Sequence, residues 1–164
     1  MKAQGEFALV KGNLEHALGL AGQPVNFGTM AHDHEVYMIL TDTAVELRDA
    51  DAIRKYAPEL ERLAARDDHR LYLAIAQRAL GEAHRVSGEN VAADNYFKEA
   101  LGLFTKLGAR WQIGRTLYKL GELYLAQSKE KAREYYSQAL RAFEEIRAAP
   151  DIERTRVVLD SLEP

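Results

Sequence analysis

The run His32-Asp33-His34-Glu35 holds the residues best suited to bind a metal ion, because imidazole nitrogens and carboxylate oxygens are common ligands of zinc. If the run is helical, His32 and His34 point in directions about 200° apart, so they cannot readily hold the same ion. An adventitious contact or a helix-capping role fits these side chains better. The sequence therefore predicts no metal site.

The other groups that could act in catalysis stand apart from one another. His16, His69 and His84 are isolated along the chain, and the adjacent carboxylates Asp67-Asp68 and Glu144-Glu145 are typical of capping or solvated positions. The sequence has no cysteine, which excludes disulfides and thiol catalysis. It also has no phosphate-binding glycine loop and no nucleophile elbow. We therefore expect neither an enzyme nor a cofactor.

The composition is that of an ordinary soluble domain. A formal charge of −3 over 164 residues provides no basic field for holding nucleic acid. No apolar run approaches the roughly 20 residues that cross a bilayer, and the amino terminus lacks the apolar stretch of a signal peptide. We expect a cytoplasmic protein that binds neither nucleic acid nor membrane. The chain begins inside what resembles a repeat, as a piece of a longer protein would.

Two stretches of the chain repeat one another. Leu80-Gly81 and Leu120-Gly121 lie 40 residues apart (121 − 81). Three later positions recur after 39 residues (132 − 93, 136 − 97, 139 − 100), namely Ala93, Phe97 and Ala100 in one stretch and Ala132, Tyr136 and Ala139 in the other. Apolar residues at three- and four-residue spacing around these positions predict helices with one apolar face each.

Gly81 and Gly121 lie inside predicted helices, where glycine is about 1 kcal/mol less favourable than alanine. We expect close packing to compensate for this cost. A missing side chain would let the second helix of each pair approach, and the repeated alanines would offer small surfaces to meet the glycine. The alternative is that the glycines occur by chance in an alanine-rich bundle, which their register with the other matched positions disfavours.

Weaker copies of the pattern precede these two stretches. The predicted organisation is a single domain of about four antiparallel hairpins and a final capping helix, with boundaries near residues 1–30, 31–70, 71–110, 111–150 and 151–162. Turn signals agree with these boundaries. Gly88-Glu89-Asn90 separates the halves of the third hairpin, Ser128 is a candidate helix N-cap, and Asp67-Asp68 would cap the helix that follows.

The motif Leu80-Gly81-x-x-His84, and its copy Leu120-Gly121-x-x-Tyr124, each followed by Ala-x-x-x-aromatic, resemble the tetratricopeptide repeat. The resemblance is good over residues 71–150 and weak over 31–70. The period of about 40 residues exceeds the 34 typical of the family, and is similar to long-helix variants in the C-terminal repeat regions of bacterial multidomain signalling proteins and transcription regulators. The resemblance implies an all-α solenoid that binds other proteins, with His84 as a packing residue.

In such a solenoid, the first helix of each hairpin lines the concave side. The resemblance places a candidate binding groove at Tyr37, Ile75, Arg78, Glu82, Arg85, Arg115, Tyr118, Glu122 and Leu125. Arginine and tyrosine are frequent anchors of protein interfaces, and Glu82 and Glu122 are expected to pair with basic side chains of a partner. The alternative is a solvated helix face whose charges match each other, as Arg78–Glu82 and Glu82–Arg85.

These observations predict a scaffold or adaptor module that presents its groove to a peptide or helix of a protein partner. Two alternatives stay open: an effector-sensing or self-associating segment of a larger transcription regulator, cyclase or NTPase, and an all-α enzyme with an unrecognised site. Homo-oligomerisation is left open as well. Repeats that grip a partner's C-terminal carboxylates use Lys, Asn and Arg, whereas the corresponding positions here hold Glu6, Met38, Ile75 and Ala79, so we expect no such clamp.

Overall fold

The structure is a computed structural model that describes residues 31–162, with side chains from residue 33 onward. This part of the chain is built of helices and contains no strand, which confirms the all-α prediction. The helices are α1 Ala31–Glu46, α2 Ala50–Arg66, α3 Arg70–Val86, α4 Asn90–Leu107, α5 Arg110–Tyr124, α6 Lys129–Glu145 and α7 Ala149–Ser161. The hairpin predicted over residues 1–30, which includes His16 and Glu6, lies outside the described residues.

Consecutive helices pack against each other across short turns, so they run antiparallel as helical hairpins. The pairs α1–α2, α3–α4 and α5–α6 form three such hairpins. Helix α3 also packs against α1 and contacts α5. Each hairpin therefore touches the next mainly where its second helix packs against the following first helix, and also along the first helices, which is the arrangement of a tetratricopeptide-like α-solenoid.

Five turns close the preceding helix with one residue in the left-handed conformation, namely Arg48, Asp68, Gly88, Gly108 and Arg147. After each of them, the next N–H donates to a carbonyl five residues earlier, as from Glu89 to His84 at 2.9 Å. This Schellman closure satisfies the last carbonyls of the helix and turns the chain sharply. It brings each following helix back against the one before it.

The helix caps agree with the sequence at one site and differ at another. Ser128 caps α6, with its Oγ accepting a hydrogen bond from the Lys131 N–H at 3.3 Å. The prediction that Asp67-Asp68 caps α3 is wrong, because His69 precedes that helix and makes no side-chain cap bond. Asp67 instead forms an ion pair with Arg66 at 2.7 Å, and Asp68 supplies the left-handed residue of the turn.

Two glycines of the repeat lie against aromatic rings of the facing helix. A β-carbon built on Gly81 would lie 2.8 Å from Cδ1 of Phe97, and one built on Gly121 would lie 2.7 Å from Cε1 of Tyr136. Real β-carbons do not approach other atoms so closely, so the ring occupies the space that any side chain would need. The sequence reasoning assigned this contact to the repeated alanines, whereas the structure gives it to the rings between them.

Gly114 makes the same kind of contact about two turns earlier in α5. Its built β-carbon would lie 2.5 Å from Cε1 of Phe143. The matching position of α3 holds Ala74, which is buried in one cluster with Phe104. Helix α5 therefore lies close to α6 at two points along its length, Gly114 and Gly121.

The remaining repeat positions form the core of the two hairpins. The buried members are Leu80, Ala93, Phe97, Ala100, Leu120, Ala132, Tyr136 and Ala139. Tyr124 is half-buried, and its hydroxyl donates a hydrogen bond to Asp94 at 2.9 Å. His84 occupies the equivalent position one repeat earlier and stacks on Tyr96, with ring centroids 5.2 Å apart. His84 is thus a packing residue.

Helix α7 packs on the last hairpin through Ile152, Val158, Leu159 and Leu162, which join the apolar cluster around Tyr136. These contacts fix the rotation of α7 about its axis. Arg154 consequently points to the face that α1, α3 and α5 share, where the candidate site lies.

Candidate functional site

A cavity of about 200 Å³ opens on the face of the alternate helices α1, α3, α5 and α7. The first helices of three hairpins and the final helix contribute to it, together with the turn after α1. We call it the charged cavity, and it is lined by Val45, Glu46, Arg48, Arg78, Glu82, Arg115, Tyr118, Lys119, Glu122 and Arg154.

Several of the predicted groove residues meet in this cavity. They are Arg78 and Glu82 from α3, and Arg115, Tyr118 and Glu122 from α5. Arg85 lies beside them, because its guanidinium pairs with Glu82 at 2.8 Å and lies 3.9 Å from Glu122.

Three predicted groove residues lie elsewhere. Ile75 is 2% exposed and packs with Leu60 and Phe104, so it belongs to the core and offers no surface to a ligand. Tyr37 is half-buried and packs against the same cluster. Leu125 is 43% exposed just after α5 ends and is not among the cavity residues. The assignment of Ile75 to the groove is corrected, because the side chain of Ile75, three residues before Arg78 on α3, points into the core.

Glu82 is fully buried at the base of the cavity and forms ion pairs with two basic side chains, Arg85 and Lys119. Both of its carboxylate oxygens accept hydrogen bonds from Arg85 at 2.8 Å, and Lys119 of the next hairpin donates to one of them at 3.1 Å. Burial by itself would raise the pKa of Glu82, but the bonds to Arg85 and Lys119 outweigh it and hold the pKa below its usual value. Glu82 is therefore already paired within the chain.

Glu122 extends this network across α5. Its carboxylate accepts a hydrogen bond from Lys119 at 2.9 Å and lies 3.5 Å from the Arg48 guanidinium. Lys119 thus bridges two glutamates that belong to neighbouring first helices, Glu82 on α3 and Glu122 on α5. The expectation that these two glutamates pair with basic side chains of a partner does not fit the contacts they already make.

Arg78 is the least compensated charge of the cavity. Its side chain is 5% exposed, and its carboxylate contact among the described residues is Asp42 at 3.9 Å, the outer limit of an ion pair. It also donates a hydrogen bond to the neutral amide of Gln112 and lies over the Phe104 ring, 5.3 Å from its centroid. The pair Arg78–Glu82 considered from the sequence is not formed. Burial, together with the nearby charge of Arg115, lowers the pKa of Arg78.

Two further arginines stand on aromatic rings at the rim. The Arg115 guanidinium lies 4.7 Å from the centre of the Trp111 ring and 3.2 Å from Glu46, whose side chain is largely exposed. The Arg154 guanidinium lies 4.4 Å from the centre of the Tyr118 ring. Arg154 also pairs with Asp151 at 3.0 Å, so each arginine has one carboxylate partner. A cation over an aromatic face is held in orientation without losing its charge, and the remaining N–H donors of both arginines are available to another group.

Elsewhere, the described part of the metal candidate is engaged in packing. His34 is buried, its Nε2 lies 3.2 Å from the Asp67 carboxylate, and its ring stacks on Tyr72. Among the side chains of residues 33–162, no group of three or more histidines and carboxylates is arranged to hold a metal ion. The structure does not describe the side chain of His32.

The sequence reasoning missed several residues of the charged cavity. The stacking of neighbouring hairpins brings three of them into the lining, namely Lys119, Glu46 and Arg48. The fourth, Arg154, belongs to a helix that the sequence identified only as a cap. The one available signal was position along α5: Tyr118 and Lys119 lie three and four residues after Arg115, and Glu122 lies four and three residues after them, so all four share one face of the helix.

The repeat model of a known family matches this part of the chain. Residues 72–145, from α3 through α6, match the tetratricopeptide repeat. These residues form tetratricopeptide repeats. The family generally serves in protein interaction or scaffolding, and the match indicates such a role for residues 72–145. No curated protein matches the chain.

None of the helices between Ala31 and Ser161 is both long enough and apolar enough to cross a bilayer.

Proposed function

We propose that the chain is a scaffold or adaptor module that binds a peptide or helix of a protein partner on the face of its first helices, with the charged cavity as the centre of that surface. The observation that carries the proposal is the convergence of predicted groove residues from two hairpins, such as Arg78 and Tyr118, into one cavity that α7 completes through Arg154. The membership of residues 72–145 in a protein-binding repeat family supports it.

The size of the cavity favours a peptide over a small effector. Sites for small molecules usually enclose roughly 300–1,000 Å³, whereas this cavity has about 200 Å³. That volume suits one side chain of a longer ligand that continues along the surface. An effector-sensing role in a larger signalling protein or transcription regulator is the alternative proposal, and the size of the charged cavity counts against an effector at that site.

The proposal is tested by selecting binding peptides from a random dodecapeptide library displayed on phage, with the whole chain as bait. The matched variants are Arg154→Glu, in the cavity, and Arg156→Glu, two residues further along α7. The Arg156 side chain is 60% exposed and pairs with Glu144 outside the cavity. We expect Arg154→Glu to weaken the selected peptides by about tenfold or more, as a buried interfacial charge does, and Arg156→Glu to leave them unchanged.

Equal behaviour of the two variants would contradict the proposal, because it would place the peptides away from the cavity. A library that yields no binding peptide would contradict it as well. Circular dichroism of each variant establishes that the helices are intact before the affinities are compared.

A further inference from the structure

The charges that line the cavity do not cancel. Five of the lining side chains are cationic and three are acidic, so the lining carries an excess of two positive charges. The whole chain carries a net charge of −3. The positive excess belongs to the side chains that face the cavity, because Asp42 and Asp151, the carboxylate partners of Arg78 and Arg154, lie outside the lining.

The acidic members of the lining are largely committed to neighbours. Glu82 is fully buried between Arg85 and Lys119, and Glu122 accepts a hydrogen bond from Lys119 at 2.9 Å. Glu46 is 61% exposed and is tied to Arg115 through a contact of 3.2 Å in which solvent screens the attraction. None of these three groups can neutralise Arg78 without breaking a contact that it already makes.

Arg78 and Arg115 therefore leave positive charge facing the cavity. Arg78 is nearly fully buried, with a neutral amide and a carboxylate 3.9 Å away as its polar partners among the described residues. A buried charge is costly unless it is closely paired. An arginine fork matches a carboxylate in shape and offers two parallel donors to it.

We infer that the charged cavity binds the carboxylate of an aspartate or glutamate side chain in an acidic segment of the partner, with Arg78 and Arg115 as its anchors. This inference rests on the proposed function and specifies the chemistry of the peptide. It reverses the expectation from the sequence that the groove glutamates would recognise basic groups.

A carboxylate fits the cavity better than a phosphate. The excess of two positive charges is spread over the lining, and three glutamates remain close to any bound anion. A phosphate group carries about −1.5 to −2 charges at neutral pH and meets these glutamates with correspondingly greater repulsion. A single carboxylate has one charge, and the cavity volume of about 200 Å³ holds a group of its size.

The test uses three dodecapeptide libraries on phage that differ only in the central four positions, which are fixed as Asp/Glu, Asn/Gln or Lys/Arg. Each is selected on the whole chain and on two variants of α5. Arg115→Gln alters the cavity, whereas Arg110→Gln removes an equivalent charge at a side chain that is 60% exposed and pairs with Glu145 outside it. Arg115 is preferred to Arg78 because its replacement leaves the buried core intact.

We expect the acidic library to be enriched about tenfold or more over the amide library on the unaltered chain and on Arg110→Gln, with the advantage lost on Arg115→Gln. Equal enrichment of the amide library, or preference for the basic one, would overturn the inference. If those peptides still depend on Arg154, the proposed function stands and only the acidic chemistry is wrong.

The best acidic peptide is then synthesised with its central glutamate replaced by glutamine or by phosphoserine, and its affinity is measured by fluorescence polarisation. Weakening in both replacements supports a carboxylate site. A phosphoserine peptide that binds more tightly than the glutamate peptide would overturn the assignment to a carboxylate.

Discussion

The Tyr136 ring of α6 fills the space that a side chain at Gly121 of α5 would occupy: a β-carbon on Gly121 would lie 2.7 Å from Cε1 of the tyrosine ring. Tyr136 is 1% exposed and cannot swing into solvent without opening the hairpin. The same relationship joins Gly81 to Phe97 in the preceding hairpin. The glycines are thus fixed by packing and not by any need for an unusual backbone conformation.

We predict that Gly121→Ala destabilises the chain by about 1–3 kcal/mol, the usual cost of overpacking a core. The matched control is Gly102→Ala in α4, because a β-carbon at Gly102 would have no neighbour within 4 Å. Gly102→Ala should stabilise the chain by about 0.5–1 kcal/mol, since alanine is the better helix former. Urea denaturation measures both values.

The decisive result is that the two variants change the free energy of unfolding in opposite directions. If Gly121→Ala stabilises the chain as Gly102→Ala does, the close approach of the ring is refuted. Adding Tyr136→Leu should reduce the cost of Gly121→Ala, because it removes the ring that the new methyl group meets. A double variant with purely additive effects would count against the contact.

We predict that Ser128→Ala destabilises the chain by about 1 kcal/mol, because it leaves the first N–H groups of α6 without the Oγ that caps them. Ser137→Ala is the control. Ser137 lies inside the same helix, and its Oγ donates a hydrogen bond to the Arg133 carbonyl. Its replacement should be neutral or slightly stabilising, and thermal melting that shows equal losses for both variants would refute the cap.

Glu82 makes the stability of the chain depend on acid. Its pKa is lower in the folded chain than its ordinary value of 4.5, so the folded state binds fewer protons than the unfolded state in that range. The stability that its ion pairs provide is fully present above pH 4.5, and it is lost as the pH falls through the lower pKa of the folded state. The free energy of unfolding, measured at a series of pH values from above 4.5 downward, should decrease as this stability is lost.

We predict that Glu82→Gln removes part of this pH dependence and, near neutral pH, costs on the order of 3 kcal/mol, as breaking a buried ion pair does. Glu59→Gln serves as the control, because Glu59 pairs with Arg62 on the exposed face of α2. An unchanged acid profile for Glu82→Gln would show that the buried network is not formed.

Trp111 is the sole tryptophan of the chain and reports on the cavity. Its ring is covered by Arg115 at 4.7 Å, and its Nε1 donates a hydrogen bond to Asp151 of α7 at 3.0 Å. We predict that an acidic peptide that engages Arg115 changes the fluorescence of Trp111 with the same concentration dependence as its binding. A peptide that binds by polarisation without altering this emission would place its acidic group away from Arg115.

The sequence predicted the repeat because the determinants of the hairpin are local. The register of Gly81 with Gly121, and of Phe97 with Tyr136, follows from helices whose facing positions recur at a fixed spacing. Gly114 was missed because α3 has Ala74 at the matching position, so the pattern offered no repeated glycine there. The predicted cap at Asp67-Asp68 is wrong because Asp67 pairs with Arg66 and Asp68 adopts the left-handed conformation that closes the preceding helix.

The candidate site was predictable only in part, because its charges are set by contacts between hairpins. Spacing along α3 placed Arg78 and Glu82 on one face but could not tell that Lys119 of the next hairpin would hold Glu82. It also could not tell that Ile75, three residues before Arg78, would lie inside the core. Such contacts depend on how the hairpins stack, and that geometry comes from packing over the whole length of the helices.

The most direct test of this account is a crystal structure of the chain with the best acidic peptide bound. We predict that a carboxylate of the peptide lies within hydrogen-bonding distance, roughly 3 Å, of the Arg78 or Arg115 guanidinium, inside the cavity that α7 closes with Arg154. A peptide seated on the second helices, or one that crosses the cavity with its acidic side chain in solvent, would contradict the account.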